Sequence, residues 1–171
     1  MNLAEHIRDI PDFPKEGIIF KDITTLVGNA EAFRASLDQL QERFADTGAT
    51  AVVALEARGY IFGAPLADRM GLRFVPVRKP GKLPADTIQQ DYDLEYGSNT
   101  LEIHKDALKP GEKVLIVDDL IATGGSAGAT VALVEKLGAE VVGFGAIIEL
   151  SFLDGRSKLG NIPVESLLTF D

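Results

Sequence analysis

Short apolar runs alternate along the chain with segments whose apolar residues recur at helical spacing, a pattern typical of α/β proteins. Mostly apolar runs predict strands at four places, over residues 50–57, 114–117, 140–149 and 164–170. Helices are predicted over residues 3–9, 30–45 and 127–137. The second helix has the clearest pattern, because Phe33, Leu37 and Phe44 share one face of it. The chain is therefore expected to pack helices against a buried sheet.

The strongest chemical signal follows the apolar run from Val114 to Val117. This run is rich in β-branched residues and predicts a strand buried on both faces, as in parallel sheets. Two carboxylates, Asp118 and Asp119, come next, where the strand is expected to end. Five small residues precede the predicted helix: Ala122, Thr123, Gly124, Gly125 and Ser126. A strand, a glycine turn and a helix in this order can hold an anion on backbone N–H groups.

The two acids limit what that anion can be, because they would repel a bare phosphate. A ribose 5-phosphate fits, since its 2- and 3-hydroxyls can donate hydrogen bonds to Asp118 and Asp119 while residues 123–126 hold the phosphate. The simpler alternative is an aspartate that caps a helix after a glycine turn in an ordinary α/β protein. The residue types alone leave both interpretations open.

Composition narrows the class of protein. The chain has 171 residues, 46% of them hydrophobic, which suits one folded domain with a full core. No apolar run approaches the roughly 20 residues of a membrane span. The absence of cysteine and of a signal-peptide pattern favours the cytoplasm. A net charge of -9 disfavours nucleic-acid binding and requires local positive charge for an anionic ligand.

Positive charge is concentrated in two places. Arg58 and Gly59 follow the predicted strand over 50–57, where open α/β sheets place ligand-binding groups. Five cations and no acid lie between residues 69 and 82, namely Arg69, Arg73, Arg78, Lys79 and Lys82. A polar segment over 83–96 follows and predicts a mobile flap, which returns as a strand over 99–104. A flap of this kind can exclude water from a bound ligand.

The stretch from Asp12 to Leu26 has loop markers at Pro14 and Gly17 but is unusually apolar. Its apolar side chains are too many for an idle surface loop, and composition alone does not decide whether they simply pack on the core.

The string from Val114 to Ser126 resembles the 5-phosphoribosyl-1-pyrophosphate (PRPP) signature of the type I phosphoribosyltransferases. The strings at 12–26 and 91–97 resemble the adenine-specific members of that family. The resemblance covers nearly the whole chain, in the expected order. It implies an open, mostly parallel twisted sheet flanked by helices, in one domain over 1–171. This domain would carry an N-terminal hood at about residues 1–27 and a flexible β flap at about residues 80–104.

The resemblance also implies roles for individual residues. It assigns the ribose and 5-phosphate of PRPP to Asp118, Asp119, Ala122, Thr123, Gly124, Gly125 and Ser126. It assigns the pyrophosphate to Ala57, Arg58, Gly59, Arg78, Lys79 and Lys82. In the hood, the backbone of Ile19 and Lys21 would recognise adenine and Phe20 would cover its ring. Glu95 would handle the proton at the purine, with a solvated flap carboxylate as the alternative. A non-proline cis peptide bond is expected near Ala57–Arg58.

The activity that the resemblance implies is purine salvage, in which adenine and PRPP become AMP and pyrophosphate. Asp118, Asp119 and Glu95 would be the catalytic residues. Mg²⁺ would be carried mainly by PRPP, with no direct protein ligand. A homodimer is implied, in which Arg78 could act across the interface. The alternatives are a PRPP-sensing regulator on the same fold and a phosphoribosyltransferase for another base.

Overall fold

An antiparallel hairpin forms the first part of the chain. The computed structural model describes residues 1–94 and 96–171, and they divide into two units, Met1–Gln39 and Leu40–Asp171. In the first unit a 3₁₀ turn precedes the elements β1 (Arg8–Pro11), β2 (Ile19–Asp22) and α1 (Thr24–Val27). The single domain expected over 1–171 stays a prediction.

The helix predicted over residues 3–9 is wrong beyond the 3₁₀ turn Leu3–His6. Arg8 lies opposite Asp22 in the hairpin and donates hydrogen bonds of 3.0 and 2.6 Å to its carboxylate. This cross-strand pair holds β1 in an extended conformation, an interaction that helical spacing does not predict.

Five parallel strands form the sheet of the second unit. They are β3 (Ala51–Leu55), β4 (Arg73–Val77), β7 (Lys113–Ile121), β8 (Glu140–Leu150) and β9 (Val164–Phe170). Their order across the sheet is β4-β3-β7-β8-β9, and each neighbouring pair is parallel. All residues of β3 are buried, as apolar runs in parallel sheets should be.

The longer helices either precede β3 or connect neighbouring strands of the sheet, and their bounds only partly follow the prediction. They are α2 (Ala30–Phe44), α3 (Gly59–Met70) and α4 (Gly125–Lys136). The predictions of α2 and α4 are confirmed within two residues, whereas α3 and β4 were not predicted. Within the second unit, the ring of Phe44 occupies the space that a Cβ at Gly143 or Gly145 would need. These glycines of β8 therefore permit the close packing of Phe44, at the end of α2.

Strand β7 is longer than its apolar run indicated. It extends to Ile121, and Asp118 and Leu120 pair with Ala146 and Ile148 of β8. The prediction that the strand ends before the two acids is therefore wrong. Hydrogen bonding to β8 carries the strand past the acids and gives them the fixed backbone of a sheet.

The predicted flap contains a second antiparallel hairpin, β5 (Thr87–Asp93) and β6 (Ser98–His104). The strand predicted over 99–104 is confirmed, and its partner over 87–93 was expected only as part of a polar segment. Among residues 1–94 and 96–171, no helix has the length and apolar character needed to cross a membrane.

Candidate active site

The site lies where the connections of the parallel sheet change direction. The chain leaves β3 through α3 for β4 at one edge, whereas it leaves β7 through α4 for β8 on the other side. The carboxyl ends of β3 and β7 are adjacent, and open α/β sheets bind ligands outside the strand ends at such a point. A cleft of about 430 Å³ opens there.

The cleft brings together most of the residues assigned to PRPP in the second unit. Those that line it are Ala57, Arg58, Lys79, Asp118, Asp119, Ala122, Thr123, Gly124, Gly125 and Ser126. Tyr92 and Leu94 of the flap line it as well. Gly59 is buried as the first residue of α3. A Cβ at Gly59 would lie 3.1 Å from Asp118 Oδ1, so this position requires glycine or a shift of the strand end.

The two adjacent acids have different partners. Asp119 is 6% exposed and accepts a 2.6 Å hydrogen bond from Arg58 Nε. The side chain of Asp118 accepts a 2.8 Å bond from the backbone N–H of Asp119. Arg58 therefore balances the charge of Asp119, whereas Asp118 accepts a hydrogen bond from a backbone N–H.

This difference affects ionisation. Burial raises the pKa of Asp118 well above its ordinary value, and the neighbouring charge of Asp119 raises it further. A ligand that donates hydroxyl hydrogen bonds would favour the charged carboxylate, so binding and ionisation of Asp118 are expected to be coupled.

The turn after β7 is shaped by glycine. Gly124 has φ +84°, a conformation in which side chains with a Cβ are strained, and it precedes the first residue of α4. The first N–H groups of a helix lack partners within it and, with the helix dipole, favour an anion. The turn therefore suits the phosphate predicted for residues 123–126.

Three of the predicted cationic residues, Arg78, Lys79 and Lys82, lie around a glutamate that sequence analysis missed. Glu56 accepts a 2.6 Å hydrogen bond from the backbone N–H of Lys79, and both Arg78 Nε and Lys82 Nζ lie 3.4 Å from its oxygens. Burial would raise the pKa of Glu56, but these hydrogen bonds and charges outweigh it and lower the pKa. Arg78 and Lys82 are thus fixed beside the cleft, although neither lines it. The expected non-proline cis bond joins Glu56 to Ala57, one bond before the predicted position.

The residues assigned to adenine lie in the first unit. Ile19 is 58% exposed, and the ring of Phe20 meets that of Phe13 edge to face at 5.2 Å. Lys21 Nζ forms a 2.8 Å ion pair with Asp9, so its side chain is engaged within the hairpin. The predicted catalytic residue Glu95 lies outside the described residues.

Two further residues contact the site although sequence analysis assigned them no role. The ring of Tyr92 lies 3.0 Å from the Cβ position of Gly125, which brings the flap onto the start of α4. Gly155 packs against the turn after β7, with its Cβ position 2.3 Å from the carbonyl oxygen of Ala122. Both contacts join distant parts of the chain, and neither produces a local pattern.

The cleft offers carboxylate oxygens that could contact a cation. In the part of the chain that the structure describes, no three side chains of His, Asp or Glu are grouped so that they could hold a metal ion. Among the described residues, Glu56, Asp118 and Asp119 are the carboxylates that line the cleft. This donor set suits a hard cation that arrives with most of its ligands already in place.

Comparison with known protein families matches residues 25–162 to the phosphoribosyl transferase domain. This match covers most of the chain, and the matched region includes the cleft with its two acids and glycine turn. The chain belongs to the phosphoribosyl transferase family.

Within that family, the chain is similar over its whole length to proteins named adenine phosphoribosyltransferase. The one from Solidesulfovibrio magneticus is 60% identical, over 98% of each chain. A crystal structure of the one from Thermoanaerobacter pseudethanolicus has a TM-score of 0.96 at 52% identity, covering 98% of both chains. The Saccharomyces cerevisiae protein, crystallised with adenine and an imino-altritol bisphosphate, has a TM-score of 0.91 at 45% identity and covers 97% of this chain and 96% of that one. The predicted family and the predicted open, parallel, helix-flanked sheet are confirmed.

Proposed function

We propose that this protein transfers the phosphoribosyl group of PRPP to adenine and releases AMP and pyrophosphate. The observation that carries the proposal is the pair of acids beside a glycine turn at the end of β7, facing Arg58 in one cleft. Similarity to full-length adenine phosphoribosyltransferases supports adenine as the base.

Different residues of the cleft bind different parts of PRPP. Backbone N–H groups of residues 123–126 bind the 5-phosphate at the start of α4. Asp118 and Asp119 accept hydrogen bonds from the ribose hydroxyls, which fixes the sugar ring. Arg58 and Lys79 contact the pyrophosphate, and Arg78 and Lys82 add positive charge beside it.

In the reaction, the bond between C1 and the pyrophosphate oxygen breaks as a bond forms between C1 and N9 of adenine. The electron pair leaves with the pyrophosphate, whose negative charge the cations of the cleft stabilise. Mg²⁺, carried mainly by PRPP, supplies further charge neutralisation when bound. The carboxylates of Asp118 and Asp119 orient the ribose and stabilise the positive charge that develops on it.

The base is bound by the hood. The backbone N–H and C=O groups of Ile19 and Lys21 match the acceptor and donor edge of adenine, and Phe20 covers the ring. Glu95 accepts the proton that N9 loses. Glu95→Gln should slow turnover while PRPP affinity stays within about twofold. The reason is that the loss of a group used only in the transition state lowers kcat without weakening substrate binding. A large loss of PRPP affinity would instead assign Glu95 to binding.

A homodimer is part of the proposal, as the family resemblance implies, and so is a cytoplasmic location. In the dimer, Arg78 is expected to serve the pyrophosphate across the interface as well as beside its own cleft. Sedimentation of the purified protein would test the assembly. A monomer that retains full turnover would remove this role from Arg78.

Product analysis tests the proposed activity. The purified protein is incubated with Mg²⁺, PRPP and either adenine, guanine, hypoxanthine or orotate, and nucleotide and pyrophosphate are quantified. AMP and pyrophosphate in equal amounts, with adenine strongly preferred, are expected. Another nucleotide would identify a transferase for another base, whereas PRPP binding without product would identify a regulator.

A further inference from the structure

The turn after β7 is supported from outside by a segment for which sequence analysis found no chemistry. A 3₁₀ turn, Gly155–Leu159, follows β8 and packs against α4. Asp154 precedes it with φ +50°, a left-handed conformation that aspartate tolerates better than most residues. The chain is thereby directed back towards the glycine turn.

The contact between the two turns is made by backbone atoms at both ends. A Cβ built on Gly155 would lie 2.3 Å from the carbonyl oxygen of Ala122 and 3.0 Å from the nitrogen of Gly124. A Cβ built on Gly124 would in turn lie 2.4 Å from the carbonyl oxygen of Gly155. Neither glycine can gain a side chain unless the turns separate.

The residue after Gly155 anchors the segment to the sheet. Arg156 donates hydrogen bonds of 2.8 and 2.6 Å to the two carboxylate oxygens of Glu149, near the end of β8. Glu149 is 5% exposed and also accepts a 2.7 Å bond from the hydroxyl of Ser166 in β9. Hydrogen bonding by Arg156 lowers the pKa of Glu149 in spite of its burial. A bidentate pair of this kind fixes both orientation and distance.

We infer that Arg156 is a positioning residue for the phosphate-binding turn: its pair with Glu149 holds Gly155 against Ala122 and Gly124, and this contact fixes the N–H groups that bind the 5-phosphate of PRPP. The inference rests on the proposed function. It extends the site beyond the cleft, since neither Arg156 nor Glu149 lines it.

The mechanism depends on how backbone donors bind an anion. A turn of small residues such as 122–125 has few side chains to restrain it, so it needs contacts from elsewhere to keep its N–H groups aimed at one point. Preorganised donors bind charge well because no reorganisation is needed on binding. Loss of the outer contact should therefore weaken phosphate binding and leave adenine binding intact.

The test measures PRPP affinity by calorimetry, the KM values of PRPP and adenine, and the melting temperature. Two variants remove the contact by different means: Arg156→Ala breaks the anchor, and Gly155→Ala keeps the anchor but forces the turns apart. Arg156→Lys keeps the charge and loses the bidentate geometry, so it should show partial rescue.

Matched controls separate positioning from general damage. Arg73 makes a bidentate pair of 2.6 and 2.7 Å with Glu112 at the far edge of the sheet, so Arg73→Ala removes a similar ion pair away from the turn. Gly128→Ala adds a methyl to α4 with no neighbouring atom nearer than 3.9 Å. Both controls should retain wild-type PRPP affinity.

The expected result is a loss of PRPP affinity of about tenfold or more in Arg156→Ala and Gly155→Ala, the scale of a small misplacement in a binding site. The KM of adenine should stay within about twofold of wild type. If Arg156→Ala does not fold, the PRPP affinity of Gly155→Ala alone tests the inference. PRPP affinity within about twofold of wild type in the folded variants overturns the inference but leaves the proposed function standing, whereas a wild-type protein that does not bind PRPP overturns both.

Discussion

Arg58 Nε donates a 2.6 Å hydrogen bond to Asp119 Oδ2 and so ties the loop after β3 to the end of β7. The arginine side chain is 54% exposed, whereas the carboxylate is 8% exposed. The pair thus joins a solvent-facing cation to a nearly buried acid. Bound PRPP would engage both partners, its pyrophosphate meeting Arg58 and its ribose hydroxyls meeting Asp119.

Replacing Arg58 with alanine should lower both activity and stability. The side chain of Asp119 is nearly buried and would lose its cationic partner, so the free energy of unfolding of Arg58→Ala should fall by about 1–3 kcal/mol. Its kcat/KM should fall by about 10²-fold or more, because a group that stabilises the leaving pyrophosphate is lost. Urea unfolding and steady-state kinetics measure the two quantities. Unchanged kinetics would remove Arg58 from the site.

Asp118→Asn should make the protein more stable and less active. Burial and the charge of Asp119 raise the pKa of Asp118 above its unfolded value of 3.8. Its contribution to stability is therefore present below pH 3.8 and is lost as the pH rises through the folded pKa. The uncharged amide of Asp118→Asn removes this loss of stability at higher pH. It also keeps an oxygen that can accept a hydrogen bond from the N–H of Asp119.

The melting temperature of Asp118→Asn should exceed that of wild type at neutral pH, because burial and the neighbouring Asp119 disfavour the carboxylate. The difference should shrink as the pH is lowered to about 4. Turnover should fall by about 10²-fold or more, the scale of one lost electrostatic contact in the transition state. A variant that is less stable than wild type at neutral pH would contradict the assigned pKa shift, and wild-type turnover would contradict the assigned role.

Glu56→Gln should disturb the cations beside the cleft. The amide can still accept the N–H of Lys79, but Arg78 and Lys82 lose their ionic partner. We expect the KM of PRPP to rise by about threefold to tenfold, a modest effect because both cations remain nearby. Since the pKa of Glu56 is lowered, its stabilising contribution is present above the ordinary value of 4.5 and is lost at lower pH.

Glu112→Gln is the matched control for this variant. Glu112 also accepts a backbone N–H, from Lys109, and pairs with an arginine, Arg73. Its replacement should lower stability without changing the KM of PRPP. Equal KM values in Glu56→Gln and Glu112→Gln would show that Glu56 does not organise the site.

The N-terminal hairpin should be sensitive to acid. A hydrogen bond from the backbone N–H of Thr24, followed by one from Arg8, lowers the pKa of Asp22 from 3.8 to about 2. The stabilisation is present above pH 3.8 and is lost as the pH falls to about 2. A carbon-13 NMR titration of the Asp22 carboxyl group measures this value directly. Amide exchange at Thr24 should accelerate in Asp22→Asn, and a titration midpoint near 3.8 would show that the contacts do not form.

The sequence predicted the sheet and its chemistry where local patterns are strong. The buried run at 114–117, the acids and the glycine turn lie next to each other in the chain, so their spacing alone indicates a strand, a turn and a helix. Arg58 could be placed at the site because the carboxyl ends of parallel strands share one edge. These are local signals combined with one general rule about sheets.

The missed features depend on contacts between distant residues. Glu56 pairs with Arg78 and Lys82, which lie more than 20 positions further along the chain. Gly155 meets Ala122 although α4 and β8 lie between them in the chain. The extension of β7 past its apolar run depends on pairing with β8. Such interactions form only when the fold is complete, so hydrophobic periodicity along the chain does not predict them.

A crystal structure with Mg²⁺ and PRPP tests the central claim most directly. The account predicts the 5-phosphate on the N–H groups of residues 123–126, the ribose hydroxyls on Asp118 and Asp119, and the pyrophosphate beside Arg58. PRPP bound elsewhere, or with its phosphate remote from the turn after β7, would contradict it.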